Sequence, residues 1–257
     1  MPRPREKGPW FWRSAIGVMV VSVFGLFAVA AFNRAPPTDP VTACRLDLND
    51  PAHTIILIDQ SDPFNPNDFG WVSQFLDTEA RALPKYGRLS IVTPKSSDPY
   101  NPNIVFSACT PGSVEDANPI FQNPRMIDDT WRDTFFAPLS DTVEVALVDT
   151  RQPSSPLAET LFAIADRADF QDESNGRRIV IVSDLMQHSD TFSFYRQGAD
   201  FDAFNGSKLG EELPALEEVE VVARIVPRQE YDLPISEIRG FWRDYFERSL
   251  ASYGSVN

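Results

Sequence analysis

The sequence predicts an α/β domain built on an open, mostly parallel sheet with helices on both faces, preceded by one N-terminal transmembrane helix. Three observations carry that prediction. Residues 54–58 (TIILI) and 179–182 (IVIV) are short runs, apolar on both faces, that end in carboxylate and hydroxyl side chains. Such runs are the mark of strands covered on both sides in the middle of a parallel sheet. Stretches of helical spacing alternate with the strands, and residues 14–32 hold no charge at all.

Composition limits what the chain can do. Its 257 residues with 42% hydrophobic content suffice for one sizeable domain and an anchor. Formal net charge is -14. Residues 1–34 carry Arg3, Arg5, Lys7, Arg13 and Arg34 against Glu6, a balance of +4, which leaves -18 for residues 35–257. A surface so acidic repels nucleic-acid phosphates, and no basic stripe interleaved with aromatics offsets it. Nucleic acid is excluded as a partner on that ground.

The uncharged run 14–32 follows Trp10, Phe11 and Trp12, placed as an interfacial aromatic belt. At about 1.5 Å per residue it comes close to the roughly 30 Å of a bilayer core. A cleaved signal peptide is the competing reading, with small residues at 28–31 for cleavage. The run exceeds the usual apolar core of about 7 to 15 residues, which favours a retained helix. Four basic residues precede it and only Arg34 closely follows. The expected arrangement is therefore a cytoplasmic N-terminus (1–13), the transmembrane helix (14–32), a linker (33–51) and an extracytoplasmic domain (52–257), periplasmic if the source is bacterial. The chain has two cysteines. One disulfide between Cys44 and Cys109 and two unrelated buried thiols both remain open.

Within the domain, the strand at 54–58 runs into Asp59, Ser61 and Asp62, and Pro63, Asn65 and Pro66 then bend the chain before Asn67, an expected N-cap. Val72, Phe75, Leu76, Ala82 and Leu83 mark one face of a helix over 67–83. Residues 88–93 and 104–108 read as two strands close enough to pair. The turn-rich stretch 110–124 is an expected surface excursion. Residues 127–148 are helical in pattern, with Pro138 breaking or restarting them. After a turn at 151–155, Ser155 and Pro156 resemble an N-cap and first helical position for a helix through Ala168. The second apolar strand then ends in Ser183 and Asp184, an echo of the first. Residues 185–207 show no regular pattern, 219–226 form a further strand, and Ile238, Trp242, Tyr245, Phe246 and Leu250 share a face of a closing helix.

Parallel strands direct their carboxyl ends to one edge, so Asp59, Ser61 and Asp62 are expected near Asp184, with Ser154 and Ser155 entering from the turn. Carboxylates and hydroxyls without a soft ligand suit a hard cation such as Mg²⁺. His53 begins its strand, away from that edge, and His188 stands alone in a polar loop. Asp59-Gln60-Ser61, a later hydroxyl before a helix, and Ser183-Asp184 resemble the von Willebrand factor A domain, also called integrin I-like. The resemblance covers most of residues 52–252. It implies a Rossmann-like α/β fold and a metal-ion-dependent adhesion site with Asp59 and Ser61 as first-loop ligands, Ser155 for the second-loop Thr, and Asp184 as the third-loop Asp. The motif is degenerate here: Pro63 replaces its second serine, and Asp62 is the nearby carboxylate that can compensate. A protein-binding or scaffold module follows as the expected function, with a partner carboxylate filling an open Mg²⁺ position. A metal-dependent hydrolase or phosphoryl-transfer domain and a metal-free component of a membrane assembly are the alternatives. The enzyme reading lacks a placed Lys or His for proton transfer, so no catalytic residue is expected.

Overall fold

A computed structural model describes residues 8–32, 36–48, 51–117, 122–148, 152–171, 176–211, 213–226 and 233–256. Arg3, Arg5, Lys7 and Arg34, which bear on orientation, lie outside that set, as do Arg151 and residues 118–121 of the expected excursion. The chain divides into two compact units between Pro37 and Thr38.

The first unit holds α1 (Pro9–Phe32), a helix whose stretch Trp12–Val29 is long and apolar enough to cross a membrane. It starts ahead of the expected residue 14, because Pro9 is tolerated in a first helical turn and the aromatic residues after it continue the helix.

The second unit is one six-stranded sheet, in the order β3-β2-β1-β4-β5-β6. In chain order the elements are β1 (His53–Ile58), α2 (Pro66–Ala82), β2 (Arg88–Thr93), β3 (Asn103–Cys109), α3 (Pro124–Trp131), α4 (Ala137–Val148), α5 (Leu157–Ala165) and β4 (Arg177–Ser183). Three short helices follow, α6 (Phe194–Gln197), α7 (Phe201–Asn205) and α8 (Lys208–Glu211). β5 (Val219–Ile225), α9 (Ile235–Arg248) and β6 (Ser252–Val256) complete the unit. Only β3 runs antiparallel, paired with β2. All six residues of β1 are buried, because alternate side chains enter opposite cores. Ile56 and Ile58 pack with α2, α3 and α4, and Ile55 and Leu57 pack with α5 and α9.

Several local expectations are corrected. Asn67 lies inside α2 rather than capping it. Asn65 and Asp68 instead exchange bonds across the first turn, each backbone N–H donating to the other's side chain at 2.9 and 3.1 Å, the reciprocal arrangement of a capping box. Ser155 does not cap α5, whose N-cap position is Pro156 with no side-chain bond. Near Pro138 the helix loosens into a π segment, Arg132–Phe136, and resumes as α4. Pro138 has no N–H to donate to the preceding turn, and a wider turn just before it absorbs that loss. Cys44 and Cys109 are disulfide-bonded, which ties the stretch before β1 to the end of β3.

Candidate metal centre

The carboxyl ends of β1 and β4 lie side by side, and the register decides which side chains meet there. Ile58 pairs with Val182, and the Asp59 N–H donates to the Val182 carbonyl at 3.0 Å. One step further along, Asp59 and Ser183 are therefore neighbours on one side of the sheet. The Ser183 hydroxyl donates to Asp59 Oδ2 at 2.9 Å and accepts the Leu185 N–H at 2.9 Å. From a third loop, the Ser155 hydroxyl donates to the same oxygen at 2.7 Å. Oδ1 accepts the Ser61 N–H at 3.0 Å, and the Ser61 hydroxyl also favours the charged carboxylate.

The structure thus brings together Asp59, Ser61 and Ser155 as expected, and adds Ser183, which the sequence motif passed over in favour of Asp184. Asp184 directs Oδ1 to the Met186 N–H, 2.9 Å away. Asp62 is half-exposed in the first loop and Pro63 is exposed beside it. Strand alternation puts Ser183 and Asp184 on opposite faces, and the register against β1 selects Ser183 as the neighbour of Asp59. His53 sits at the opposite edge as expected: its Nδ1–H donates to the Asp169 carbonyl at 2.9 Å, and Nε2 lies 2.9 Å from Ser90 Oγ. Burial pulls its pKa down to about 4, although the Asp169 carbonyl favours the charged ring.

Further bonds fix the loops around the cluster. Ser155 and His188 exchange backbone bonds at 2.8 Å in each direction. Gln187 spans from the Ala158 N–H to the buried Glu159 carboxylate, at 2.9 and 3.0 Å. The loop after β2 is fastened to the second loop by Ser96, whose hydroxyl donates to the Ser154 carbonyl at 3.1 Å. Trp242 of α9 donates its indole N–H to the Leu185 carbonyl at 2.8 Å. Leu185 itself has φ of 66°, a left-handed conformation that a branched side chain adopts only when its surroundings enforce it.

Electrostatically, Asp59 is a buried carboxyl with no cation beside it among the described residues. Desolvation pushes its pKa up, and bonds from Ser155, Ser61 and Ser183 counter this only in part. Its partners among the described residues are all serines, so the charge is solvated by dipoles alone. A proton or a hard cation would each relieve that charge, and the oxygen-only donor set is of the kind Mg²⁺ accepts. Among the described residues no three of His, Cys, Asp and Glu converge on one point. An ion here would therefore rest on few carboxylates, with hydroxyls and water making up the remainder.

No protein-family profile matches the chain, and no curated protein matches it. Solved structures with a similar chain path include the pilus adhesin SpaC of Lactobacillus rhamnosus GG, at 9% identity and a TM-score of 0.46, over 87% of this chain and 29% of the adhesin. An aerotolerance-related membrane protein of Bacteroides fragilis is similar at 10% identity and 0.41, over 80% of this chain and 92% of that one. The conserved hypothetical protein BatB of Bacteroides thetaiotaomicron matches at 11% and 0.42, over 80% and 90%. The chain thus spans under a third of the adhesin's length. Each score is below 0.5, so the fold rests on the strand order and register described above.

Proposed function

We propose that the chain is a membrane-anchored, extracytoplasmic protein-binding module whose Asp59 cluster takes up Mg²⁺ to meet a partner carboxylate. One observation carries the reading. Oxygen side chains from three separate loops, Asp59 with Ser61, Ser155, and Ser183, meet at the carboxyl edge of a parallel sheet around a buried charge that has no cationic partner among the described residues. That edge is where open α/β sheets bind ligands.

Asp59, Ser61 and Ser155 would hold the ion directly, with water between it and the carboxylates of Asp62 and Asp184 in the two flanking loops. Bound there, Mg²⁺ would offer an electrophilic position to a carboxylate from outside. The chain's own residues keep Asp59 aimed and dry: Ser155 and Ser183 fix Oδ2, and the Ser155–His188 backbone pair closes the loops over it. Among the described residues no Lys or His touches Asp59, so a proton-transfer partner is missing and binding is favoured over turnover. The disulfide supports placement outside the cytoplasm, where such bonds persist. The apolar length of α1 supports the anchor.

A second reading, a metal-free structural component, is favoured by the completeness of the cluster's hydrogen bonds, since both Asp59 oxygens already accept donors. Calorimetry separates the two. The full chain in detergent is expected to bind Mg²⁺ at millimolar concentration or below, and Asp59→Ala to abolish the heat. A wild-type chain that releases none at that concentration rejects the metal and leaves the structural reading.

A further inference from the structure

The sheet face that carries α2 is only partly covered. Helices close it over β1, β2 and β4, but on that side β5 leaves Glu220 exposed and Val222 and Arg224 half-buried. The register sets Ser252, Gly254 and Val256 of β6 beside those three, and all of them are exposed. A Cβ built on Gly254 would meet nothing within 4 Å. The opposite face is better covered, with Val221 and Ala223 in the core and Tyr253 stacked on Phe246 of α9, leaving Ser255 exposed at the end of β6.

Along the border of this open strip runs a groove of about 520 Å³. One wall is Trp71, Gln74, Phe75 and Thr78, a single stripe along α2, and the other is Arg224 and Ile225 of β5. Arg224 lies 5.0 Å from the Phe75 ring centroid, and its Nε is buried without a hydrogen-bond partner. No described carboxylate forms an ion pair with it. Glu79 feels its charge but is bonded to Arg178, and Asp68, also lining the groove, accepts the Asn65 N–H at 2.9 Å. A half-buried guanidinium left this way in an acidic domain calls for an outside anion. At the other end of the strip the sign reverses. Glu79 and Glu220 share the one guanidinium of Arg178, and the Glu220 side chain is 57% exposed.

We propose that this strip seats an amphipathic helix of a partner protein, lying beside α2 over β5 and β6, with a carboxylate on Arg224 and a basic residue facing Glu220. The apolar stripe between them rests on Trp71, Phe75 and Val222. A helix fits because a segment lying flat on a sheet face finds no backbone partners there and must satisfy its own N–H and C=O groups. The small side chains of Ser252 and Gly254 let it approach. Four residue steps of strand separate Glu220 from Arg224, about 13 Å; two helical turns, about seven residues and about 11 Å, return to the same face, and long charged side chains span the remainder. The site is independent of Asp59, and its failure would leave the metal reading untouched.

The test uses Ser252→p-benzoylphenylalanine in the full chain, reconstituted in lipid nanodiscs, so that photo-crosslinking reports only on this strip. The probe is a stapled amphipathic peptide of about four turns with a Glu and a Lys about seven residues apart on one face; its twin carries the two charges exchanged, in the same orientation relative to the staple. The first peptide is expected to crosslink. Arg224→Glu should lower its yield about tenfold or more and raise that of the twin. Equal yields from the two peptides on both backgrounds, no crosslink at all, or crosslinking to a second copy of the chain in place of the peptide would each overturn the proposal.

Discussion

Asp59 decides the chemistry of the carboxyl edge through a contest between desolvation and three serines, and its raised pKa has a definite pH signature. A carboxyl group raised on folding binds its proton more tightly in the native state. Its contribution to stability is thus fully present below the ordinary Asp value of about 3.9 and is lost as pH rises through the raised native value. In chelator-treated protein, the stability difference between wild type and Asp59→Asn should therefore drift against wild type as pH climbs above about 4. Urea titrations at several pH values measure this, and Mg²⁺ should flatten the drift if it occupies the site. A difference that does not change with pH would mean that Asp59 is not the desolvated group described. The sequence made Asp59, Ser61 and Ser155 legible, because hydroxyls and carboxylates after buried strands are hard to explain as core. It did not reveal that Ser155 donates to Asp59 instead of capping α5, since both roles ask for the same residue. Ser183 became identifiable only once the register of β1 against β4 was known.

Among the elements, α9 matters beyond its packing. Trp242 is fully buried, and its indole N–H holds the Leu185 carbonyl in the loop that begins at Asp184. Trp242→Phe keeps most of the apolar contact but orphans that carbonyl, a loss of about 1–3 kcal/mol. Amide exchange at Leu185 and Met186 should quicken more than at the centre of β4. Uniform quickening would mean that α9 only packs. The strands in the middle of the sheet were readable from their unbroken apolar runs, and α2, α5 and α9 from their apolar stripes. The edges were harder to read. β6 has the sequence SYGSV, too short and too polar to stand out, because an outer strand need bury only one side. The three short helices α6 to α8 lack a repeat long enough to show a period. They are held by an aromatic cluster in which Phe192, Phe194 and Phe204 pack on Phe241.

For the whole molecule, the second unit carries one covalent crosslink between distant parts of its chain. The bond between Cys44 and Cys109 closes a loop with a sequence separation of 65. Chain-entropy arguments give such a loop up to about 4 kcal/mol of stabilisation. Replacing both cysteines by Ser should cost about 2–4 kcal/mol in denaturant titrations, and alkylation of protein taken directly from cells should find no free thiol. Free thiols in the native chain would count against an oxidising compartment. Fold class was legible at this scale because alternating strands and helices leave few ways to build a sheet. Two cysteines alone do not determine whether they pair, which depends on where the stretch before β1 returns. That same crosslink also sets a load path. Tension applied to the chain ahead of Cys44 passes through sulfur directly to the end of β3, so the backbone between the two cysteines cannot be drawn out by it. About 220 Å of contour is withheld from extension, and the first-loop residues Asp59 and Ser61 lie within the shielded span. Pulling on the chain ahead of Cys44 would therefore leave the backbone of that loop unextended.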